Sequence, residues 1–208
     1  MTNDQYRWVA RFYDGLFGRM NSGLWEIGLR LLPPRPGMTV LEIGCGTGAL
    51  LDRYRERGCT VFGIDLSPAM LEQAHRRGAG CVCLGDASRM PFCAGRFDVI
   101  VTSLVLHEMS PATRSAVLKE AALALTEQGR ILVIDYHKGP VRSARGWLKK
   151  LVIIAAEIGA GRRHYGNYRN YMALGGLPGV ITGTQLAVEE QKIVGAGTFS
   201  VSVLRWAE

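Results

Sequence analysis

The chain has 208 residues, 48% of them hydrophobic and 21% charged, with a formal net charge of +7. That length suits one sizeable hydrophobic core, not two ordinary domains, and the composition excludes a disordered or fibrous chain. The charge is unevenly placed: the window 138–169 holds eight Lys or Arg and one acid, Glu157, so the whole net charge falls within it.

The opening residues MTNDQYRWVARFYDGL contain no uninterrupted apolar run, which argues against a secretory or membrane-spanning start. The longest aliphatic run, Leu151 to Ala156, is far below the roughly 20 residues a bilayer crossing needs, so a cytoplasmic location is expected. Two helices are expected at 4–17 and 22–32, ended by Pro33-Pro34 and Pro36-Gly37, as an N-terminal helical cap (1–37) over the ligand edge of a sheet. From Met38 onward apolar β-branched runs alternate with helical patterns, the signature of a parallel sheet with crossover helices. Strands are read at 38–43, 59–65, 80–85, 97–103 and 130–136, with helices at 48–57, 68–77 and 111–126. Ser67-Pro68 and Ser110-Pro111 each place a cap residue before a proline at the first helical position.

After residue 136 the rhythm breaks. A basic, apolar helix (142–160) and a Tyr-rich helix (163–174) form a cover, 137–178, that is expected to move over an acceptor pocket. Trp147, Leu151, Ile154 and Ile158 recur at helical spacing, with Arg142, Arg145, Lys149 and Lys150 alongside. Such a face either packs on the sheet or rests on an anionic membrane surface. Two last strands, 185–194 and 197–206, flank Gly195-Ala196 and should pair as an antiparallel hairpin. The expected architecture is one α/β domain: a Rossmann-like, seven-stranded, mostly parallel sheet with a C-terminal antiparallel hairpin and helices on both faces. Cys45, Cys59, Cys81, Cys83 and Cys93 are an odd set without CxxC spacing, so free thiols and no metal site are expected from them.

Chemistry concentrates at Val40-Leu41-Glu42-Ile43-Gly44-Cys45-Gly46-Thr47-Gly48, an apolar strand entering a glycine-rich turn that opens a helix. Glycines let backbone approach a ligand, and a helix N-terminus supplies unpaired N–H donors. Gly44-x-Gly46-x-x-Ala49 followed by Asp65 also satisfies the dinucleotide fingerprint, so the turn alone leaves a nicotinamide-dependent reductase open. No tyrosine has a lysine four positions later, so the Tyr-x-x-x-Lys pair of short-chain reductases is absent.

Glu42 two residues before the glycines, Asp86 closing the third strand in Leu84-Gly85-Asp86-Ala87, and the terminal hairpin turn the balance. With these the chain resembles the class I S-adenosylmethionine-dependent methyltransferases, in the type 11 branch that includes the ubiquinone/menaquinone biosynthesis methyltransferases. The resemblance is strong over 38–136. It implies that Glu42, Gly44, Cys45, Gly46 and Gly48 form the cofactor loop and that Asp65 binds the ribose. It further implies that Asp86, with Ala87 beside it, reads the adenine amino group, that Leu66 and Met70 flank the adenine ring, and that Thr102 and Ser103 lie near the methionine portion of S-adenosylmethionine.

His107, after the fourth strand, is the first candidate for catalysis, as a general base or as a pocket wall. Tyr13, in Arg11-Phe12-Tyr13-Asp14, resembles an aromatic-acidic element that closes over the cofactor in quinone-pathway relatives; the other reading is an aromatic anchor for the first helix. His137 and His164 are weaker candidates. The expected acceptor is a small hydrophobic molecule, with quinone-ring C-methylation the leading reading and phospholipid or other N- or O-methylation the alternative. No nucleic-acid partner is expected.

Overall fold

In the computed structural model, residues 4, 6, 7, 10–141 and 143–207 are described, with Leu16, Phe17 and Arg19 described by their backbone only. Strand β1 (Thr39–Ile43) is buried from Val40 onward, Glu42 included, as a strand covered on both faces is. It pairs in parallel with β2 (Thr60–Asp65) on one side and β4 (Phe97–Ser103) on the other. Strand β3 (Cys81–Leu84) extends the sheet beyond β2, and β5 (Leu125–Tyr136) lies beyond β4. The hairpin of β6 (Leu186–Val194) and β7 (Phe199–Trp206) completes the order β3-β2-β1-β4-β5-β7-β6, with β7 antiparallel to both neighbours. The expected seven-stranded sheet with its terminal hairpin is therefore present. Strand order reverses between β1 and β4, and in open α/β sheets ligands bind outside the carboxyl ends of the strands at such a reversal.

Helices α2 (Ala49–Arg55), α3 (Pro68–Arg77) and α4 (Pro111–Ala124) follow β1, β2 and β4. Ser67 Oγ accepts from the Met70 N–H at 3.1 Å and Ser110 Oγ from the Thr113 N–H at 3.2 Å, so both caps form as their spacing predicts. Two boundaries differ from the sequence reading. Helix α4 stops at Ala124 and β5 begins at once, because Leu125 pairs with Phe97 before a register shift. The hairpin turn spans Gly195 to Thr198, with Gly195, Ala196 and Gly197 all at positive φ, so β7 starts at Phe199.

In place of two N-terminal helices, a single helix, α1 (Tyr13–Leu31), runs straight through Gly18 and Gly23. Each interior glycine costs about 1 kcal/mol of helix propensity, but burial of Leu24, Trp25 and Leu29 outweighs it. Helix α1 packs on β5 and β7. What reaches the sheet's carboxyl edge is the short segment before it and its first turn.

Helices α5 (Ala144–Gly159), α6 (Arg162–Ala173) and α7 (Leu177–Ile181) occupy the region between β5 and β6. Tyr168 and Tyr171 of α6 are buried. In α5, by contrast, Trp147, Leu148, Leu151, Val152 and Ile158 are each more than half exposed, while Ile153 and Ile154 touch the core. Arg142 lies outside the described residues. Among the described residues no helix is long and apolar enough to cross a membrane.

Candidate active site

The turn after β1 is held by its own backbone. Gly44 N–H donates to the Ile64 carbonyl at 2.8 Å and Gly48 N–H to the Cys45 carbonyl at 2.8 Å. Asp65, at the end of β2, accepts from the Gly46 N–H and the Ser67 N–H, both at 2.8 Å. Its carboxylate is thus fixed between the glycine turn and the start of α3. Burial raises the Asp65 pKa, and the backbone N–H groups offset part of that rise.

The three glycines serve different ends. A Cβ on Gly44 would meet Val105 Cγ2 at 2.6 Å, and one on Gly48 would meet the Ala79 Cβ at 2.4 Å, so these two are required by packing and by their positive φ. At Gly46, with φ +51, a Cβ would meet nothing within 4 Å. The approach of a ligand to bare backbone therefore belongs to Gly46, a distinction that the glycine spacing does not reveal. Cys45 is buried, its side chain packed against Gly63.

Beside the turn, two buried polar atoms lack partners. Glu42 Oε2 on β1 and Thr102 Oγ1 on β4 make no hydrogen bond, although Glu42 is 4% and Thr102 2% exposed. Burial, with the Asp65 charge beside it, pushes the Glu42 carboxyl well up. Unpaired buried polar groups at a strand-order reversal are what a bound polar ligand would satisfy, so the residues fit a cofactor there. Ser103 is occupied, its Oγ accepting from Trp25 Nε1 at 3.0 Å. Further out, Leu66 is 66% exposed and Met70 buried. Asp86 is exposed and caps the short turn 87–89, accepting from the Ser88 N–H at 2.8 Å, with Ala87 buried behind it.

The segment before α1 closes onto this edge. Asp4 accepts from Ser67 Oγ at 2.8 Å, Asp14 accepts from Thr47 Oγ1 at 2.8 Å and pairs with Arg77, and the Tyr6 hydroxyl donates to the Glu108 carboxylate at 2.7 Å. Tyr13 stands edge-on to Tyr6, the ring centres 6.4 Å apart. Burial, with Glu108 next, pushes the Tyr13 phenol up to about 12, so it stays protonated at neutral pH.

His107 lies in a different environment. Leu104, at φ +58, turns the chain out of β4 into a short 3₁₀ turn, Leu106–Glu108. This tucks His107 beneath α5 and α6, where it is 2% exposed. Its Nδ1 is 2.7 Å from Asp135 Oδ1 and its Nε2 3.5 Å from Glu157 Oε1. Tyr136 OH donates to the same Glu157 oxygen at 3.0 Å, and His164 Nε2 lies 2.8 Å from Glu157 Oε2. Burial alone would push His107 down, but Asp135, with Glu157 and Glu108, brings it up to about 10. Conversely, burial would raise Glu157, yet the two histidines bring it down to about 2. His107 is thus a buried cation at neutral pH, without the free lone pair that a base requires.

Asp135, Glu108, Glu157 and Arg114 were not singled out from the sequence, and His164 was ranked low. Arg114 is 1% exposed; its Nε donates to the Leu106 carbonyl at 2.8 Å and its Nη1 to Asn170 Oδ1 at 3.2 Å, fastening α6 to the 3₁₀ turn. One signal was visible in the sequence: Glu157 is the lone acid in the basic window.

A family model described as a methyltransferase domain matches residues 40–129. The chain is 34% identical to the demethylmenaquinone methyltransferase of Beutenbergia cavernae over 137 residues, 64% of this chain and 56% of that one. It is 37% identical to a malonyl-[acyl-carrier protein] O-methyltransferase of Herminiimonas arsenicoxydans over 138 residues, 65% of this chain and 48% of the relative. Over residues 40–129 the chain is thus similar to methyltransferase domains. It spans about half the length of those two relatives. In fold it is similar to a protein of Pyrococcus horikoshii OT3, with a TM-score of 0.70 over 91% of each chain at 18% identity. The matched residues 40–129 contain the glycine turn, Asp65, Asp86 and His107, and stop before Asp135 and the cover helices.

Proposed function

We propose that this chain binds S-adenosylmethionine at the carboxyl ends of β1, β2 and β4 and transfers its methyl group to a small hydrophobic acceptor. The observation that carries the reading is the pair of unpartnered buried atoms, Glu42 Oε2 and Thr102 Oγ1, set beside the open face of Gly46 at the strand-order reversal. Asp65, already fixed by two backbone N–H groups, is the carboxylate for the ribose hydroxyls; Asp86 is the acceptor for the adenine amino group, with Leu66 and Met70 along the ring. Bound S-adenosylmethionine supplies a sulfonium methyl that is electrophilic without further activation.

The protein's remaining tasks are alignment and exclusion of water. Asp4, Tyr6 and Tyr13 provide a cover over the edge, and Tyr13 as a neutral phenol donates a hydrogen bond to the acceptor. His107, held between Asp135 and Glu157, serves as a wall of the acceptor side, and the acceptor is a phenolate-type quinone ring poised for methylation on carbon. The similarity to a demethylmenaquinone methyltransferase supports that acceptor class; the similarity to an O-methyltransferase of a carboxylic acyl carrier is the reason to test others.

Calorimetric titration with S-adenosylmethionine, its demethylated product and NAD tests the first half. Binding of both sulfur ligands is expected, and NAD binding without either would overturn it. Labelled-methyl transfer to phenolic, amine and carboxylic acceptors tests the second. Product only from the amine or carboxylate would remove the quinone reading.

A separate observation favours contact with an anionic bilayer. The outward residues of α5, Trp147, Leu148, Leu151 and Val152, stand beside Arg145, Lys149 and Lys150, with Lys150 Nζ 5.3 Å from the Trp147 ring centre. An apolar face with cationic flanks suits the interface of such a membrane. Co-sedimentation with anionic vesicles at low ionic strength, lost in high salt and in Lys149→Glu/Lys150→Glu, is the expected result. Equal binding to neutral vesicles, or none to anionic ones, would remove it.

A further inference from the structure

The 3₁₀ turn after β4 meets the consecutive helices α5 and α6, and each of the three contributes one metal-ligating side chain. His107 comes from the 3₁₀ turn after β4, Glu157 from α5 and His164 from the first turn of α6. One ligand-type atom from each lies within 4.8 Å of the others. Two details set this apart from an ordinary buried ion pair. Glu157 is 4% exposed and each of its oxygens faces a histidine Nε2, Oε1 that of His107 at 3.5 Å and Oε2 that of His164 at 2.8 Å. Behind His107, Asp135 is fully buried and holds Nδ1 at 2.7 Å, which leaves Nε2 as the nitrogen facing Glu157.

We propose that His107, Glu157 and His164 form a binding site for a divalent transition-metal ion of the Zn²⁺ or Fe²⁺ kind. Two imidazoles and one carboxylate match the donor sets of those ions and are a poor match for Ca²⁺ or Mg²⁺, which take oxygen. Asp135 fills the place of the second carboxylate that typically orients a metal-bound histidine through its other nitrogen. Glu108 Oε1, 3.9 Å from His164 Nε2 and held by the Tyr6 hydroxyl, is the nearest further oxygen. An ion seated there takes the place of the protons on the two Nε2 atoms, joins α5 and α6 to the end of β4, and lies beside the proposed acceptor side of the edge. The site does not rest on the methyl-transfer reading, because its ligands lie outside the glycine turn and binding is measured without S-adenosylmethionine.

The intact chain is stripped with a chelator, confirmed as folded by circular dichroism, and titrated with ZnCl₂ and CoCl₂. The expected result is one ion per chain, a higher melting temperature, and Co²⁺ visible bands without the near-ultraviolet thiolate transition that the free cysteines would produce. X-ray absorption at the zinc edge of the wild-type protein should show imidazole scattering and no sulfur. His164→Gln and Glu157→Gln should each weaken Zn²⁺ binding about tenfold or more, while Cys81→Ser/Cys83→Ser leaves it unchanged. A folded wild-type chain that binds no stoichiometric ion, a sulfur-ligated spectrum, or unaltered affinity in folded His164→Gln would each overturn the proposal. The absorption measurement uses the wild type, so a variant that fails to fold does not shield it.

Discussion

On the β1–β2–β3 side of the sheet's carboxyl edge, polar groups stand ready for something outside the protein. Asp86 and Leu66 are exposed, a Cβ on Gly46 would meet nothing, and Glu42 carries an unpartnered buried oxygen. On the β4–β5 side, His107, Asp135 and Glu157 are 2%, 0% and 4% exposed and are engaged mainly with one another. Substitutions on the first side should therefore appear in ligand affinity with the fold intact, and substitutions on the second in stability.

The largest effect is expected from Asp135→Ala. It removes the partner of a buried histidine cation and a carboxylate that also accepts from the His107 and Tyr136 N–H groups. Breaking a buried charge pair from one side costs about 3–5 kcal/mol, read from urea unfolding of the metal-free chain. A loss below about 1 kcal/mol would mean that the pair behaves like a surface contact and would break the comparison.

The same half predicts a pH profile. His107 is pushed up from 6.5 to about 10, so its stabilisation is complete below pH 6.5 and is lost as pH rises toward 10. Glu157 is brought down from 4.5 to about 2, so its contribution is present above pH 4.5 and is lost as pH falls toward 2. Thermal unfolding in chelator should show a plateau between those limits, and His107→Gln should flatten the alkaline limb. An unchanged alkaline limb in that variant would assign it to other groups.

The cofactor half was readable in the sequence because its information is local. A glycine turn, a strand and a cap occupy consecutive residues, and their periodicities specify the parallel sheet before any tertiary contact is known. The second half was not readable in that way. His107, Asp135, Glu157 and His164 lie on four different elements, and each alone looks like an ordinary polar residue of a strand end or helix. Likewise, the merging of two expected helices into α1 depended on how Leu24, Trp25 and Leu29 pack, which outweighs the local preference of Gly18 and Gly23.

Within the glycine turn, Gly48→Ala and Gly46→Ala should part ways. At Gly48 the added methyl meets Ala79 at 2.4 Å with φ +75, so left-handed strain and overpacking together should cost roughly 2–4 kcal/mol of stability. At Gly46 the space is open and only strain of roughly 1–2 kcal/mol applies, while S-adenosylmethionine affinity should fall because the methyl occupies the approach. Equal stability losses with unchanged affinity would mean that Gly46 too is needed only for packing. Asp65→Ala should weaken the cofactor by roughly 1–3 kcal/mol, the scale for losing charge-assisted hydrogen bonds. Unchanged affinity in a folded variant would move the ribose site elsewhere.

The smallest effect tests where the two halves are joined. Ser67 Oγ accepts from the Met70 N–H as the cap of α3 and donates to Asp4, which also accepts from the Ala69 N–H at 3.1 Å. Ser67→Ala should lower stability by about 1 kcal/mol through loss of the cap. Asp4→Ala leaves that cap in place and removes only the tie to the N-terminal segment, so its stability loss should be smaller. If that segment covers the cofactor edge, Asp4→Ala should also raise the association rate of S-adenosylmethionine in stopped-flow fluorescence, Trp25 providing a reporter beside Ser103. Association rates identical to wild type in both variants would show that the segment is packed at the edge without controlling entry, and the cover would then lie wholly with α5 and α6.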